Sequence, residues 1–168
     1  MGIEILVGLG GNLGDVPSVF EAACRRIGAD VSDLVLSRFY VSLPRYDKPG
    51  AERPDTPDPP YINAVFRGRT DLSPEALLGL LQAAEAAFGR CRSSRACAPR
   101  TLDLDILLYG TTILETPDLW IPHPRMHTRG FVLWPACDVA ADWHHPGLGK
   151  TLLELRDSCG DEAPRLLA

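Results

Sequence analysis

Pro99-Arg100-Thr101-Leu102-Asp103-Leu104-Asp105-Ile106-Leu107-Leu108-Tyr109 is the stretch that decides the fold, because apolar and acidic residues alternate through its first half. Successive side chains of a strand point to opposite faces, so the spacing sends Leu102, Leu104, Ile106 and Leu108 into a core and turns Asp103 and Asp105 together the other way. Two carboxylates side by side on one rigid strand make a cation site. Hard oxygen ligands suit Mg²⁺, which keeps several waters and completes its shell with substrate phosphates. Arg100 stands beside them as a phosphate-binding fork.

Working outward, Ile3–Leu9 reads as a buried strand that breaks into a turn at Gly10-Gly11-Asn12-Leu13-Gly14. A helix follows, capped by Asp15, with Pro17 in its first turn and Gly28 after its last apolar residue. Leu34–Val41 is predicted as one strand, and residues 42–60, with six prolines, as a long irregular loop. Tyr61–Thr70 alternates again, with Ile62, Ala64 and Phe66 on one face and Tyr61, Asn63 and Val65 on the other. Ser73-Pro74-Glu75 opens a helix with an apolar stripe that Gly89 ends. Beyond the aspartate strand, Gly110 permits a turn and Thr111–Leu114 is expected to return as a short antiparallel strand. Helical stretches are predicted over Gly130–Val139 and Thr151–Asp157. This order implies an α+β fold, a mainly antiparallel sheet with helices packed on one side.

The chain has 168 residues, 45% of them hydrophobic, which suits one domain spanning 1–168. A net charge of -5 argues against broad binding of nucleic acid or anionic membrane. Its five scattered cysteines include no Cys-x-x-Cys pair, pointing to a reducing cytoplasm rather than a disulfide framework or zinc ribbon. No apolar run reaches the roughly 18 residues a membrane span needs.

Arg90, Arg92, Arg95 and Arg100 lie in a segment without acids, immediately before the paired aspartates. Guanidinium forks and a carboxylate-held cation together make a polyphosphate site, which neither half makes alone. The N-terminal glycines do not form a dinucleotide fingerprint, and a Walker A loop is excluded because the only lysines are Lys48 and Lys150. They suit close approach of backbone to a flat ligand or a second strand, or a tight turn. His123 and His127 do not read as a zinc pair, since Pro122 and Pro124 interrupt any helix there; beside Arg125 and Arg129, His123 suits phosphate better. Tyr61, Asn63 and Phe131 can sandwich and hydrogen-bond a planar heterocycle, or simply pack.

Taken together, Gly10–Gly14, Tyr61-Ile62-Asn63-Ala64, Arg100-Thr101-Leu102-Asp103-Leu104-Asp105, Ile121-Pro122-His123-Pro124 and Arg129-Gly130-Phe131 resemble the 6-hydroxymethyl-7,8-dihydropterin pyrophosphokinases of folate biosynthesis, over about residues 3–157. The resemblance implies a ferredoxin-like fold and transfer of pyrophosphate from the co-substrate ATP to the pterin alcohol, releasing AMP. It implies two Mg²⁺ ions on Asp103 and Asp105, which with Arg90 and Arg92 form the catalytic set. Gln82, Glu85, Arg90, Arg92, Arg100, Ile106, His123 and Arg129 would meet ATP. Gly10, Ser42, Leu43, Tyr61, Asn63 and Phe131 would meet the pterin. Residues 42–60 and 90–98 resemble the family's lids, but Ala96 and Cys97 stand where a basic residue and a tryptophan are usual, and Leu43 replaces a common proline. The implied partners are small molecules, with no nucleic acid or membrane, and the implied state is a monomer or weak dimer. The alternatives are a paralogue acting on a related pterin alcohol and a non-catalytic pterin or nucleotide module. An RNA-binding sheet is disfavoured by the acidic charge balance.

Overall fold

Alternating apolar patterns and capped amphipathic segments produce, in chain order, β1 (Ile3–Gly11), α1 (Val16–Ile27), β2 (Ser32–Leu36), β3 (Tyr40–Ser42), β4 (Tyr61–Thr70), α2 (Pro74–Ala87), β5 (Asp103–Tyr109), β6 (Leu114–Glu115), β7 (Trp120–Ile121), α3 (Gly130–Ala140), α4 (Leu152–Ser158) and β8 (Arg165–Leu166). The computed structural model describes residues 2–44, 58–89 and 99–168.

β1 is the centre of the sheet. It pairs antiparallel with β4 from Ile3 opposite Thr70 to Gly11 opposite Ile62, and with β5 from Ile5 opposite Tyr109 to Gly10 opposite Asp103. The main sheet runs β5-β1-β4-β3-β8, with β2 on the same edge of β4 as β3. Strand, helix, two strands, helix, strand, with the first and third strand positions central, is the ferredoxin-like arrangement.

Both first helices are held by side-chain caps. Asp15 accepts from the Ser18 hydroxyl at 2.7 Å and Ser73 from the Ala76 N–H at 3.2 Å, and each helix carries proline in its first turn. Phe20 and Ile27 of α1 and Leu77 and Leu81 of α2 are buried against Ile5, Val7, Phe66, Leu104 and Ile106. A second cluster covers the opposite face, where Leu133, Ala136 and Leu152 of α3 and α4 bury Leu6, Val65 and Leu107. Helices therefore cover both faces of the sheet, not one. The reason lies in the strands: Leu6 and Val65 point away from α1 and α2, and apolar side chains on that face need their own cover.

Three further expectations change. The stretch predicted as one strand over Leu34–Val41 divides into β2 and β3. Between them the Ser37 hydroxyl accepts from the Val65 N–H at 3.0 Å while the Ser37 N–H donates to the Val65 carbonyl at 2.9 Å, so a side chain replaces one rung of the ladder. Next to it the Arg38 N–H and guanidinium both donate to Asp138 of α3. Leu108 leaves the Leu104–Ile106 face, because the pairing slips between Leu6 and Val7 and a bulge sends both Leu107 and Leu108 into the second cluster. Finally, Leu114 does not return onto β5. β6 pairs with β7 instead, closed by Thr116, whose hydroxyl and N–H both donate to the Leu119 carbonyl. Gly110 does turn as expected, at φ 51°.

Candidate active site

The register of the three central strands builds the site floor. Asp103 stands opposite Gly10 and Gly10 opposite Asn63; one step along, Asp105 stands opposite Gly8 and Gly8 opposite Val65. Adjacent strands lie about 4.8 Å apart, so Asp103 and Asn63 flank a side-chain-free gap roughly 10 Å wide. A Cβ on Gly10 would find nothing nearer than Asn63 Oδ1 at 4.0 Å. Over this gap lies a cavity of about 130 Å³ whose wall includes Tyr61, Asn63, Asp103, Asp105, Arg129 and Phe131. Gly10, Ser42, Leu43, Arg100 and His123 also line it.

Asn63 is buried, and its amide nitrogen donates to the Tyr40 carbonyl at 3.3 Å and to Ser42 Oγ at 2.9 Å. Those donations fix the amide orientation and turn Oδ1, an acceptor, toward the gap. Arg100 Nη1 donates to Asp103 Oδ2 at 2.8 Å, joining the first phosphate-binding candidate to the first carboxylate. The Arg129 guanidinium lies 5.5 Å from the Phe131 ring centroid, at the start of α3. His123 docks on the outer edge of β5, its N–H donating to the Leu107 carbonyl at 3.0 Å. Its Nδ1 accepts from the Arg125 N–H at 3.2 Å, so the neutral ring carries its proton on Nε2, as a donor.

Not every expected contact reaches the cavity. Gln82 is exposed on α2 away from its wall. Glu85 is buried, and its carboxylate accepts from the Leu104 N–H at 2.7 Å, satisfying an edge group of β5 between the two aspartates. It therefore holds β5 to α2. Ile106 lines a neighbouring hollow of about 350 Å³ with Leu78, Leu104 and Trp120, joined to the first through Asp105 and His123. Arg90 and Arg92 lie outside the described residues, as do Ala96, Cys97 and residues 45–57.

Asn12, outside the cavity wall, supports it in a way that spacing did not single out. Its N–H donates to the Arg100 carbonyl, its Oδ1 accepts from the Arg100 N–H, both at 2.9 Å, and its Nδ2 donates to the Pro59 carbonyl at 3.1 Å. One side chain thus ties the entry to β5 to the approach to β4. Its place directly after Gly10-Gly11 was the available signal.

The model of the family described as 7,8-dihydro-6-hydroxymethylpterin-pyrophosphokinase (HPPK) matches residues 6–141. The chain belongs to the HPPK family. A 2-amino-4-hydroxy-6-hydroxymethyldihydropteridine pyrophosphokinase of Synechocystis is 41% identical over 89% of this chain and 73% of its own length. One from Pseudomonas aeruginosa is 37% identical over 93% of this chain and 91% of its own. The fold of a solved wild-type HPPK-DHPS from Plasmodium falciparum superimposes with a TM-score of 0.70 at 14% identity, covering 94% of this chain. This chain spans 44% of that longer protein.

The donor set of the cavity fits divalent magnesium. Asp103 and Asp105 offer carboxylate oxygens from one face of β5 to a cavity that also holds guanidinium and imidazole donors, with no thiolate among its described lining residues.

Proposed function

We propose that this chain transfers the β,γ-pyrophosphoryl group of ATP to the hydroxymethyl oxygen of 6-hydroxymethyl-7,8-dihydropterin, giving AMP and the pterin diphosphate of folate biosynthesis. The observation that carries this reading is the row Asp103–Gly10–Asn63, which sets a carboxylate and a side-chain amide either side of a bare floor. Residues 1–168 act as one domain, in keeping with a single main sheet covered on both faces.

In this reading the pterin lies flat over Gly10 between Tyr61 and Phe131, where aromatic faces hold a planar ring. Asn63 Oδ1 accepts from its amino edge, with Ser42 and Leu43 closing the side. Arg100, Arg129 and His123 Nε2 donate to phosphate oxygens, and the hollow beside Ile106 takes the apolar face of adenine. Asp103 and Asp105 would hold two Mg²⁺ ions, which neutralise phosphate charge and polarise the attacked phosphorus. The oxygen–phosphorus bond forms in line as the bond to AMP breaks, and the hydroxyl proton is released. Such a transfer requires positioning and charge stabilisation more than a covalent nucleophile. Glu85 supports the ATP side through its hold on Leu104, and Arg90 and Arg92 complete it by charge.

Asp103→Asn and Asp105→Asn test the assignment. Each is expected to lower turnover by at least about 100-fold. The thermal midpoint should barely move in Asp105→Asn, because Asp105 is exposed, and should fall modestly in Asp103→Asn, whose part-buried carboxylate pairs with Arg100 at 2.8 Å. Wild-type turnover in both variants would remove the carboxylates from the mechanism.

A further inference from the structure

The segment after α4 has no part in the ferredoxin-like core, yet it is fastened behind the proposed pterin pocket at three points. Asp161 Oδ2 accepts from the Gly130 N–H at 2.9 Å, at the first residue of α3. β8 pairs with β3, Arg165 opposite Val41 and Leu166 opposite Tyr40. The Leu167 N–H donates to the Phe39 carbonyl at 2.8 Å. Ser42, Leu43 and Phe131 have the pocket on one side and, on the other, a cleft whose far wall is Asp161–Arg165.

The two walls joined this way carry the ligand contacts. β3 ends in Ser42, and α3 begins between Arg129 and Phe131. β3 and α3 are also tied directly where the Tyr40 hydroxyl donates to the Asp138 carboxylate at 3.1 Å, toward the far end of α3; at the ends beside the pocket, Ser42 and Gly130, residues 161–167 span both walls. α3 has no side-chain cap from its own N-cap residue, Arg129, and the Asp161 carboxylate supplies one from 31 residues away. The fit there is close: a Cβ at Gly130 would lie 3.0 Å from the Glu162 carbonyl oxygen and 3.4 Å from Asp161 Cβ. A carboxylate on the first N–H groups of a helix also favours its dipole.

We propose that residues 161–167 form a strap that sets the width of the pterin pocket, with Asp161 as a positioning residue for Arg129 and Phe131. This rests on the reading of that pocket as the pterin site. Asp161 touches no substrate. It acts by fixing where α3 starts, hence where the Phe131 ring and Arg129 guanidinium stand relative to Ser42.

The test compares Asp161→Ala with Asp161→Asn in the full chain, measuring kcat, the KM for the pterin, thermal midpoint and amide hydrogen exchange at Gly130. Asp161→Ala is expected to raise the pterin KM roughly fivefold, the size of one lost hydrogen bond, with kcat within about twofold. Exchange at Gly130 should quicken while the midpoint holds. Asp161→Asn keeps an acceptor oxygen and should restore both KM and protection. An unchanged KM in Asp161→Ala, equal damage in Asp161→Asn, or a fall in midpoint and kcat with no KM effect would overturn the proposal. Wild-type protein that turns over no pterin would instead defeat the reading of the pocket, and Gly130 exchange would still separate a real cap from none.

Discussion

His145 is 7% exposed, and its Nδ1 has no hydrogen-bond partner among the described residues. Burial lowers its pKa, and the neighbouring His127 ring, 6.0 Å away between centroids, adds to the shift. The sign for stability follows from which state takes up the proton first. Above the ordinary histidine range both states are neutral there. As pH falls below about 6.5 the unfolded chain binds a proton that the folded chain resists, so stability drops until the pH reaches the lowered folded value. Denaturant titrations at pH 7.5 and 5.5 should show this loss, and His145→Gln should reduce it; an identical loss in the variant would place the pH sensitivity elsewhere. His145 was legible only as a histidine, because its burial depends on the loop through Gly147 and Lys150 that closes over it. Asp103, Asp105 and Asn63 were legible because strand alternation alone assigns their face. Asn12 was not, since what it does depends on Arg100, 88 positions along the chain.

Within β1 the glycines divide into two kinds. Gly10 is open above, whereas a Cβ on Gly11 would lie 2.6 Å from the Thr101 carbonyl oxygen and 3.1 Å from Val16 Cγ1. Gly10→Ala should therefore fold normally and place a methyl on the pocket floor, raising the pterin KM. Gly11→Ala should displace the entry to β5 and cost about 1–3 kcal/mol in urea unfolding. A destabilised Gly10→Ala, or a fully stable Gly11→Ala, would contradict the division. The glycine run signalled close approach without saying to what; one residue faces the cavity and the next the segment entering β5. β4 and the caps at Asp15 and Ser73 were readable because propensity, period and capping agree there. The break at Ser37 was hidden, since a serine substituting for a backbone rung leaves the β-branched and aromatic pattern intact. The turn from β6 to β7 did leave a trace in Thr116-Pro117-Asp118, which outweighs the shorter hairpin expected at Gly110.

For the whole molecule, net charge of -5 coexists with a cavity that gathers Arg100, Arg129 and His123, so total charge does not describe the local placement of cationic groups. The ferredoxin-like core was legible from element order. Its second helical layer was not, because α3 is apolar nearly all round and its period does not point to one face of the sheet. That layer is what turns a bare sheet face into a pocket, by bringing Arg129 and Phe131 over Gly8 and Gly10. The decisive measurement joins all of these parts: purified chain, Mg²⁺, ATP and 6-hydroxymethyl-7,8-dihydropterin, with AMP and pterin diphosphate quantified in the same reaction. The account predicts the two products in equal amounts. Release of ADP, or ATP left intact while the pterin binds, would contradict it.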